Sequence, residues 1–323
     1  MIETDHSVIW YEFFTAAHRR RVIIDFTEVI FVSFTILTDT SANLPSAYLA
    51  EHQIGVVPFN YFIKDKAYSC LDTEGFDAKK FYKAMRMGAD VRTSQINLYS
   101  YIEFFEPYLK KGEDILMICM SSGISGSYHC AEAAKKELGA KYPDRKILLI
   151  DTLAASLGEG IFVLRAVDMR KDNKSIDEVY EIIQEEKKRM YQVFTVDDLM
   201  YLKKTGRVKG SVAIVGNMLH VKPLLKGNEN GEIVNFAKTI GRKRAIDGLA
   251  QKYNQLVKDP ETQVVGIAHA DCEDDAKALI ELLNEKKPPK EILTVMYEPV
   301  TGSHVGPGTL ALFFLGDDDV RSR

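Results

Sequence analysis

Several things are scarce in this sequence, and each scarcity closes off a class of protein. The four cysteines (Cys70, Cys119, Cys130, Cys272) lie far apart and form no Cys-x-x-Cys pair. That spacing excludes a zinc ribbon and a disulfide-stapled scaffold, and it fits free, buried thiols in a reducing, cytoplasmic compartment. The seven histidines make no zinc-ligand pattern, so no metal or other cofactor is expected. Positive charge is not in excess. A net charge of −4 and a pI near 6.0 argue against a nucleic-acid binder driven by bulk charge. Nucleotide signatures are missing too: no G-x-x-x-x-G-K-[ST] occurs, and no G-x-G-x-x-G follows the first predicted strand. What the chain does have is material for a large core, 323 residues at 46% apolar content, enough for two domains.

The first 35 residues differ from the rest. His18-Arg19-Arg20-Arg21 precedes Val22–Leu37, which is mostly apolar but interrupted by Asp25 and Glu28. The uninterrupted part is too short to span a bilayer, and no small-residue cleavage site follows. Residues 1–35 therefore read as an extension of uncertain structure, or as the product of translation begun too far upstream. A membrane-interface anchor is the alternative; stable insertion is not expected.

Ser121-Ser122-Gly123-Ile124-Ser125-Gly126-Ser127 organises the remainder. It follows a continuous apolar run, Ile115–Met120, and precedes a helix-compatible run from Tyr128 to Leu138. A buried parallel strand, a loop of Ser and Gly and a helix N-terminus together form a place for an anion, either carboxylate or phosphate. The plainer alternative is that the serines only cap the helix, although four hydroxyls exceed what one cap needs.

In chain order, Ile36–Ser41 reads as a strand entering a polar loop, and Gly55–Ile63 as a second strand. A helix over Phe76–Met87 closes at Gly88. Leu98, Tyr101, Ile102, Phe105 and Leu109 place an amphipathic helix after an Asn97 cap. Lys146–Asp151 is another buried strand, the next helix begins near Ala154, and Ser175–Glu178 is a capping box. Strands alternating with helices mean an α/β fold with a mostly parallel sheet, and ligands bind outside the carboxyl ends of such strands. The loops Asp39–Ser41, Thr93–Gln95, Ser121–Ser127 and Asp151–Ser156 are thus expected to converge on one crevice. From Tyr191 the pattern changes: a strand over Gln192–Val196, a short helix from Asp197, and a basic loop, Lys203–Lys209. Next come an apolar helix over Ser211–Val221 and a hairpin turned at Asn230-Gly231, with two further helix–strand pairs after it. The expected division is an N-terminal α/β domain over 36–190, a mixed α/β domain over 191–317 and a polar tail over 318–323.

The candidate site residues each have an ordinary alternative. Thr93 and Ser94 could be no more than a helix cap. His304, between glycines in Gly302–Gly308, could be a satisfied structural histidine. The basic loop could be solvated surface, although Arg207 after a helix C-terminus can present a rigid guanidinium. A nucleophile elbow needs G-x-S-x-G, whereas Ser125 stands in G-x-S-G-S, so a catalytic triad has weak support. A carboxylate pocket lined by hydroxyls fits better than autonomous catalysis.

At these residues the sequence resembles the bacterial DegV family. The resemblance lies in Ile36–Pro45, Thr93-Ser94-Gln95, Ser121–Tyr128, Asp151-Thr152 with Ala155-Ser156, Leu202–Val208 and His304–Gly308, in that order, and covers about Ile36 to Leu315. It implies a two-domain α/β fold with a fatty acid held between the domains. It also implies a role as the fatty-acid-binding subunit of a fatty acid kinase, whose separate ATP-binding subunit phosphorylates the acyl carboxylate for phospholipid synthesis. By motif position Thr93 and Ser125 would bind the carboxylate, with His304 and Ser94 nearby, and Arg207 would sit on an exposed loop meeting the kinase subunit. The sequence departs from the family pattern at Thr205, where Gly is frequent, and at Val305, where Thr is. The expectation is a non-enzymatic acyl carrier. Its rivals are a serine hydrolase or phosphotransferase using Ser125 and His304, and a lipid transport or sensing protein with no kinase partner.

Overall fold

The computed structural model describes residues 34–71, 76–209 and 221–323. The readings made for the N-terminal extension up to residue 33, and for the apolar helix expected over Ser211–Val221 as far as residue 220, lie outside the described residues; Val221 itself begins a strand.

The chain opens with β1 (Phe34–Asp39), α1 (Ser46–Glu51) and β2 (Gly55–Val57). The expected single strand over Gly55–Ile63 is broken at Pro58, whose missing N–H ends the ladder. Beyond the break a separate strand, β3 (Asn60–Ile63), pairs antiparallel with β4 (Lys66–Ser69). After α2 (Ala78–Arg86) comes β5 (Val91–Ser94), on the other edge of β3. Thr93 and Ser94, expected in a loop, are therefore the last residues of a strand in a small three-stranded antiparallel sheet, with Tyr61 opposite Thr93.

Next are α3 (Leu98–Lys110), capped by the Asn97 side chain, then β6 (Asp114–Cys119), α4 (Ser127–Lys141), β7 (Ile147–Asp151), α5 (Leu157–Lys171) and α6 (Ile176–Glu186). The Ser175–Glu178 capping box is formed. Strands β1, β2, β6 and β7 make a parallel sheet in the order β2-β1-β6-β7. Ile115 to Cys119 are wholly buried, as an unbroken apolar run covered on both faces must be.

The C-terminal part contributes β8 (Met190–Thr195), α7 (Met200–Lys204), β9 (Val208–Lys209), β10 (Val221–Gly227), β11 (Ile233–Ile240) and α8 (Arg242–Leu256). It ends with β12 (Val264–His269), α9 (Glu273–Lys286), β13 (Glu291–Met296), α10 (Pro299–Val305) and β14 (Leu310–Leu315). Seven strands form a mixed sheet in the order β13-β12-β14-β8-β10-β11-β9. One of its faces carries α8 and α9, where Leu249, Tyr253, Leu279 and Phe314 share a core.

Helix α5 lies between the two large sheets, packing on β1 and β6 and also on β8, β12 and β14. Its first seven residues are all buried, which accounts for an apolar composition with no polar stripe. The fit leaves no spare room: a Cβ at Gly160 would stand 2.5 Å from the Ala42 carbonyl oxygen. Because α5 is enclosed, its N-terminus and the carboxyl ends of β6 and β7 meet the mixed sheet directly, and a cavity remains there.

Candidate ligand site

The cavity is ≈ 300 Å³ in volume, at the lower end of the range of about 300–1,000 Å³ usual for small-molecule sites. Its walls are apolar over Phe59, Ile124, Phe194, Ile233, Phe313 and Val300. Polar groups reach it from four elements: Thr93, Ser94 and Gln95 from the end of β5, Ser125 from the loop before α4, Ser156 at the start of α5, and His304 from α10.

Each polar group is set by local structure. The Thr93 hydroxyl and His304 Nε2 are 2.9 Å apart. His304, which the sequence places between glycines, lies in the last turn of α10, because half-buried Glu298 caps that helix by accepting from the N–H groups of Val300 and Thr301. Pro299 suits its first turn. The Ser125 hydroxyl is 2.9 Å from that of Ser127 and accepts weakly from the Ser127 N–H, while Ser127 accepts from the N–H of Ile96. Three of the four loop hydroxyls, those of Ser121, Ser125 and Ser127, therefore bond backbone groups. Ser121, fully buried, donates to the Gly231 carbonyl, and Ser122 donates to Asp151 at 2.6 Å. Ser125 is the one that also lines the cavity.

Asp39, expected at the crevice, is instead buried beneath it. Its carboxylate accepts from the N–H groups of Ser41 and Met120 and so pins the residue before the serine loop. Glu159 of α5 lies alongside and accepts from the hydroxyls of Thr38 and Ser41. Burial is the main force raising both carboxyls, Asp39 to about 6 and Glu159 well above its usual range.

Arg207 also departs from expectation. Placed by sequence on an exposed loop, it is half-buried on the cavity wall and donates to the Thr205 carbonyl. The sequence signal was available, since Gly206 with φ of +70° turns the chain sharply after α7. Burial, with the Arg207 charge beside it, lowers the pKa of His304 to about 4. His304 is thus neutral at pH 7, and its Nδ1 has no hydrogen-bond partner among the described residues.

That depression has a consequence for stability. The folded-state value lies below the unfolded one of about 6.5, so the stabilisation is complete above pH 6.5 and is lost as pH falls toward 4. Between pH 6.5 and 5 the loss should be on the order of 2 kcal/mol. Asp39 acts in the opposite sense, because its raised value favours the fold as pH falls through 6. Comparing urea denaturation of the wild type with His304→Gln isolates the histidine. The variant should lack this part of the acid slope; parallel stability curves would refute the assignment.

A serine nucleophile gains nothing from this geometry. His304 Nε2 meets Thr93, whereas Ser125 meets Ser127, and a histidine depressed to about 4 is a poor base at pH 7. Among the described residues no group of three or more His, Cys, Asp or Glu could hold a metal ion. No described helix is long and apolar enough to cross a membrane.

The sequence profile described as "Uncharacterised protein, DegV family" matches residues 33–317. The chain belongs to the DegV family. A DegV domain-containing protein of Clostridium perfringens, CPE0026, is 42% identical over 285 residues, covering 88% of this chain and 98% of its own length. Among solved structures, a fatty-acid-binding DegV family protein from Thermus thermophilus is similar with a TM-score of 0.79 at 26% identity, covering 88% of this chain and 99% of that one. DegV of Bacillus subtilis, a fatty acid binding protein, is similar with a TM-score of 0.76 at 27% identity over the same shares. The mixed α/β architecture, with an N-terminal parallel sheet and a mixed C-terminal sheet, is that of DegV family structures.

Proposed function

We propose that this protein binds a long-chain fatty acid in the cavity, with the carboxylate between Thr93 and Ser125, and presents that carboxylate to a separate ATP-dependent kinase subunit for acyl-phosphate formation. The observation that carries the reading is the meeting of Thr93, Ser125 and His304 on one cavity that also has apolar walls at Phe59, Ile124, Phe194, Ile233, Val300 and Phe313. Burying a carboxylate is costly unless it is hydrogen-bonded, so the two hydroxyls supply orientation. Burial of the chain supplies affinity at about 0.8 kcal/mol per CH₂. A neutral His304 donating from Nε2 to the Thr93 oxygen leaves the Thr93 hydroxyl proton free for the ligand, which gives the histidine a positioning role. The fatty-acid-binding relatives from Thermus thermophilus and Bacillus subtilis support the ligand class.

The kinase step rests on the family resemblance and on two properties of the site. It has hydroxyls and a cation but no nucleotide signature, and the exposed Lys203, Lys204 and Lys209 surround Arg207 at its edge. Arg207, within reach of both cavity and surface, would meet the phosphorylating partner. Native mass spectrometry of the purified protein followed by organic extraction tests the first half, and a one-to-one adduct that extracts as free fatty acid is expected. Adding ATP and the ATP-binding subunit should then yield acyl-phosphate, with Arg207→Ala sparing lipid binding and slowing the transfer. A protein that stays empty when offered fatty acids would overturn the reading. One that fills with lipid but never co-purifies with a kinase subunit would be a transport or sensing protein.

A further inference from the structure

Ser156 combines three features that are each unfavourable to the fold. Its backbone sits at φ +54°, ψ −140°, a region that side-chain-bearing residues rarely occupy. It stands at the N-cap of α5, where a serine ordinarily bonds the helix N–H groups, yet its side chain makes no such bond. The residue is 1% exposed, and its hydroxyl has no hydrogen-bond partner among the described residues. All three coincide on the wall of the cavity.

The surroundings indicate what that hydroxyl is for. Strands β6 and β7 are parallel neighbours in register, Cys119 opposite Asp151, so the loops leaving them lie side by side. They are tied together by the Ser121 N–H to the Ala154 carbonyl at 2.8 Å and by Ser122 to Asp151. The wall that carries Ser125 thus continues into the wall that carries Ser156. Each loop runs into a 15-residue helix, α4 and α5, whose positive ends face the same region. In α/β-hydrolases a comparably strained strand-to-helix turn presents a serine nucleophile. Here His304 is engaged with Thr93, leaving Ser156 as a donor.

We infer that Ser156 is a ligand-contacting residue, its hydroxyl donating to an oxygen of the bound carboxylate and, with the α5 N-terminus, completing an anion site shared with Thr93 and Ser125. This rests on the fatty-acid reading above. The strained turn is maintained because it turns the hydroxyl away from capping and toward the ligand.

Two variants separate this from a structural role. Ser156→Gly relieves the backbone strain and Ser156→Ala retains it, and both remove the hydroxyl. Each ligand-free variant should melt at or above the wild-type temperature, Ser156→Gly the higher. Both should bind palmitate roughly ten- to a hundredfold more weakly, the worth of a hydrogen bond to a charged group. Methyl palmitate, which has the same chain and no charge, should lose far less. Unchanged palmitate affinity overturns the assignment. So does an equal loss for acid and ester, which would make Ser156 a shaper of the pocket, or a lowered melting temperature in both variants, which would make the hydroxyl part of the fold. A wild type that binds no palmitate removes the fatty-acid reading itself, whereas one that binds it as well as its variants do removes only this inference.

Discussion

The double substitution Thr93→Val with Ser125→Ala should lower affinity for a long-chain fatty acid at least a hundredfold and abolish acyl-phosphate formation with the kinase subunit. A hydrogen bond to a charged group contributes about 1.5–3 kcal/mol, so removing two leaves the carboxylate short by roughly 3–6 kcal/mol. That corresponds to about 10² to 10⁴ in affinity. Neither change should unfold the protein. Thr93 is held in β5 by backbone pairing to Tyr61, and Val suits a strand at least as well. Ser125 makes one side-chain contact with Ser127 and a 3.3 Å contact with its N–H, comparable to a weak cap, so its loss should cost about 1 kcal/mol. The single variants should each lose less than half of the double-variant effect in free energy if the two hydroxyls share one carboxylate, because the remaining one can then reorient. Displacement titration with a fluorescent fatty acid, alongside thermal melting, makes the measurement. Unchanged affinity in a protein that melts normally would place the carboxylate elsewhere.

Much of the fold could be read from local pattern because the strongest signals are local. The runs Ile115–Met120 and Ile147–Asp151 are buried parallel strands, α3 shows its apolar spacing, and Ser175 with Glu178 announces its helix. Thr93, Ser125 and His304 were legible as candidates because hydroxyls, glycines and a histidine cluster in short polar loops between apolar runs. What was not legible depends on distant packing. Phe59, Phe194 and Phe313 line the cavity, yet in sequence they are indistinguishable from core aromatics. Ser156 falls, by sequence, inside the helix expected from near Ala154; only its backbone angles and unpaired hydroxyl set it apart. Asp39 looked like a crevice residue because it ends a strand, but its carboxylate turns inward to the Ser41 and Met120 N–H groups. The glycines flanking His304 gave no sign of a helix there, which the Glu298 cap starts. The tail misled most, since its polar composition says nothing about where one arginine points.

That arginine, Arg321, should be among the most damaging positions to change, although it lies within a stretch expected to be a polar tail. It is 4% exposed, and its guanidinium donates to the carbonyls of Lys187, Asn228 and Leu153. Those carbonyls belong to the end of α6, the β10–β11 turn and the β7–α5 loop. The second presents Gly231 to Ser121, and the third leads into Ala155 and Ser156 on the cavity wall. One side chain therefore fastens the C-terminal turn to two of the segments that frame the site. Arg321→Met keeps the apolar stem and removes every donor, leaving the three carbonyls only their weaker neutral donors, the N–H groups of Met190 and Gly231 and the Gln192 side-chain amide. Nearby cations soften the loss: Lys187 and Lys226 both feel the guanidinium as a like charge, so its removal relieves some repulsion. The loss of three hydrogen bonds from a charged donor should still dominate, for a net destabilisation of roughly 3–5 kcal/mol. For a chain of this size that is a fall in melting temperature of roughly 10 °C. Arg321→Lys should recover only a minor part, because an ammonium cannot span three divergent acceptors as a planar fork does. Denaturant titration of the three proteins decides the matter, and an Arg321→Met protein within about 1 kcal/mol of wild type would show that the C-terminal turn is dispensable.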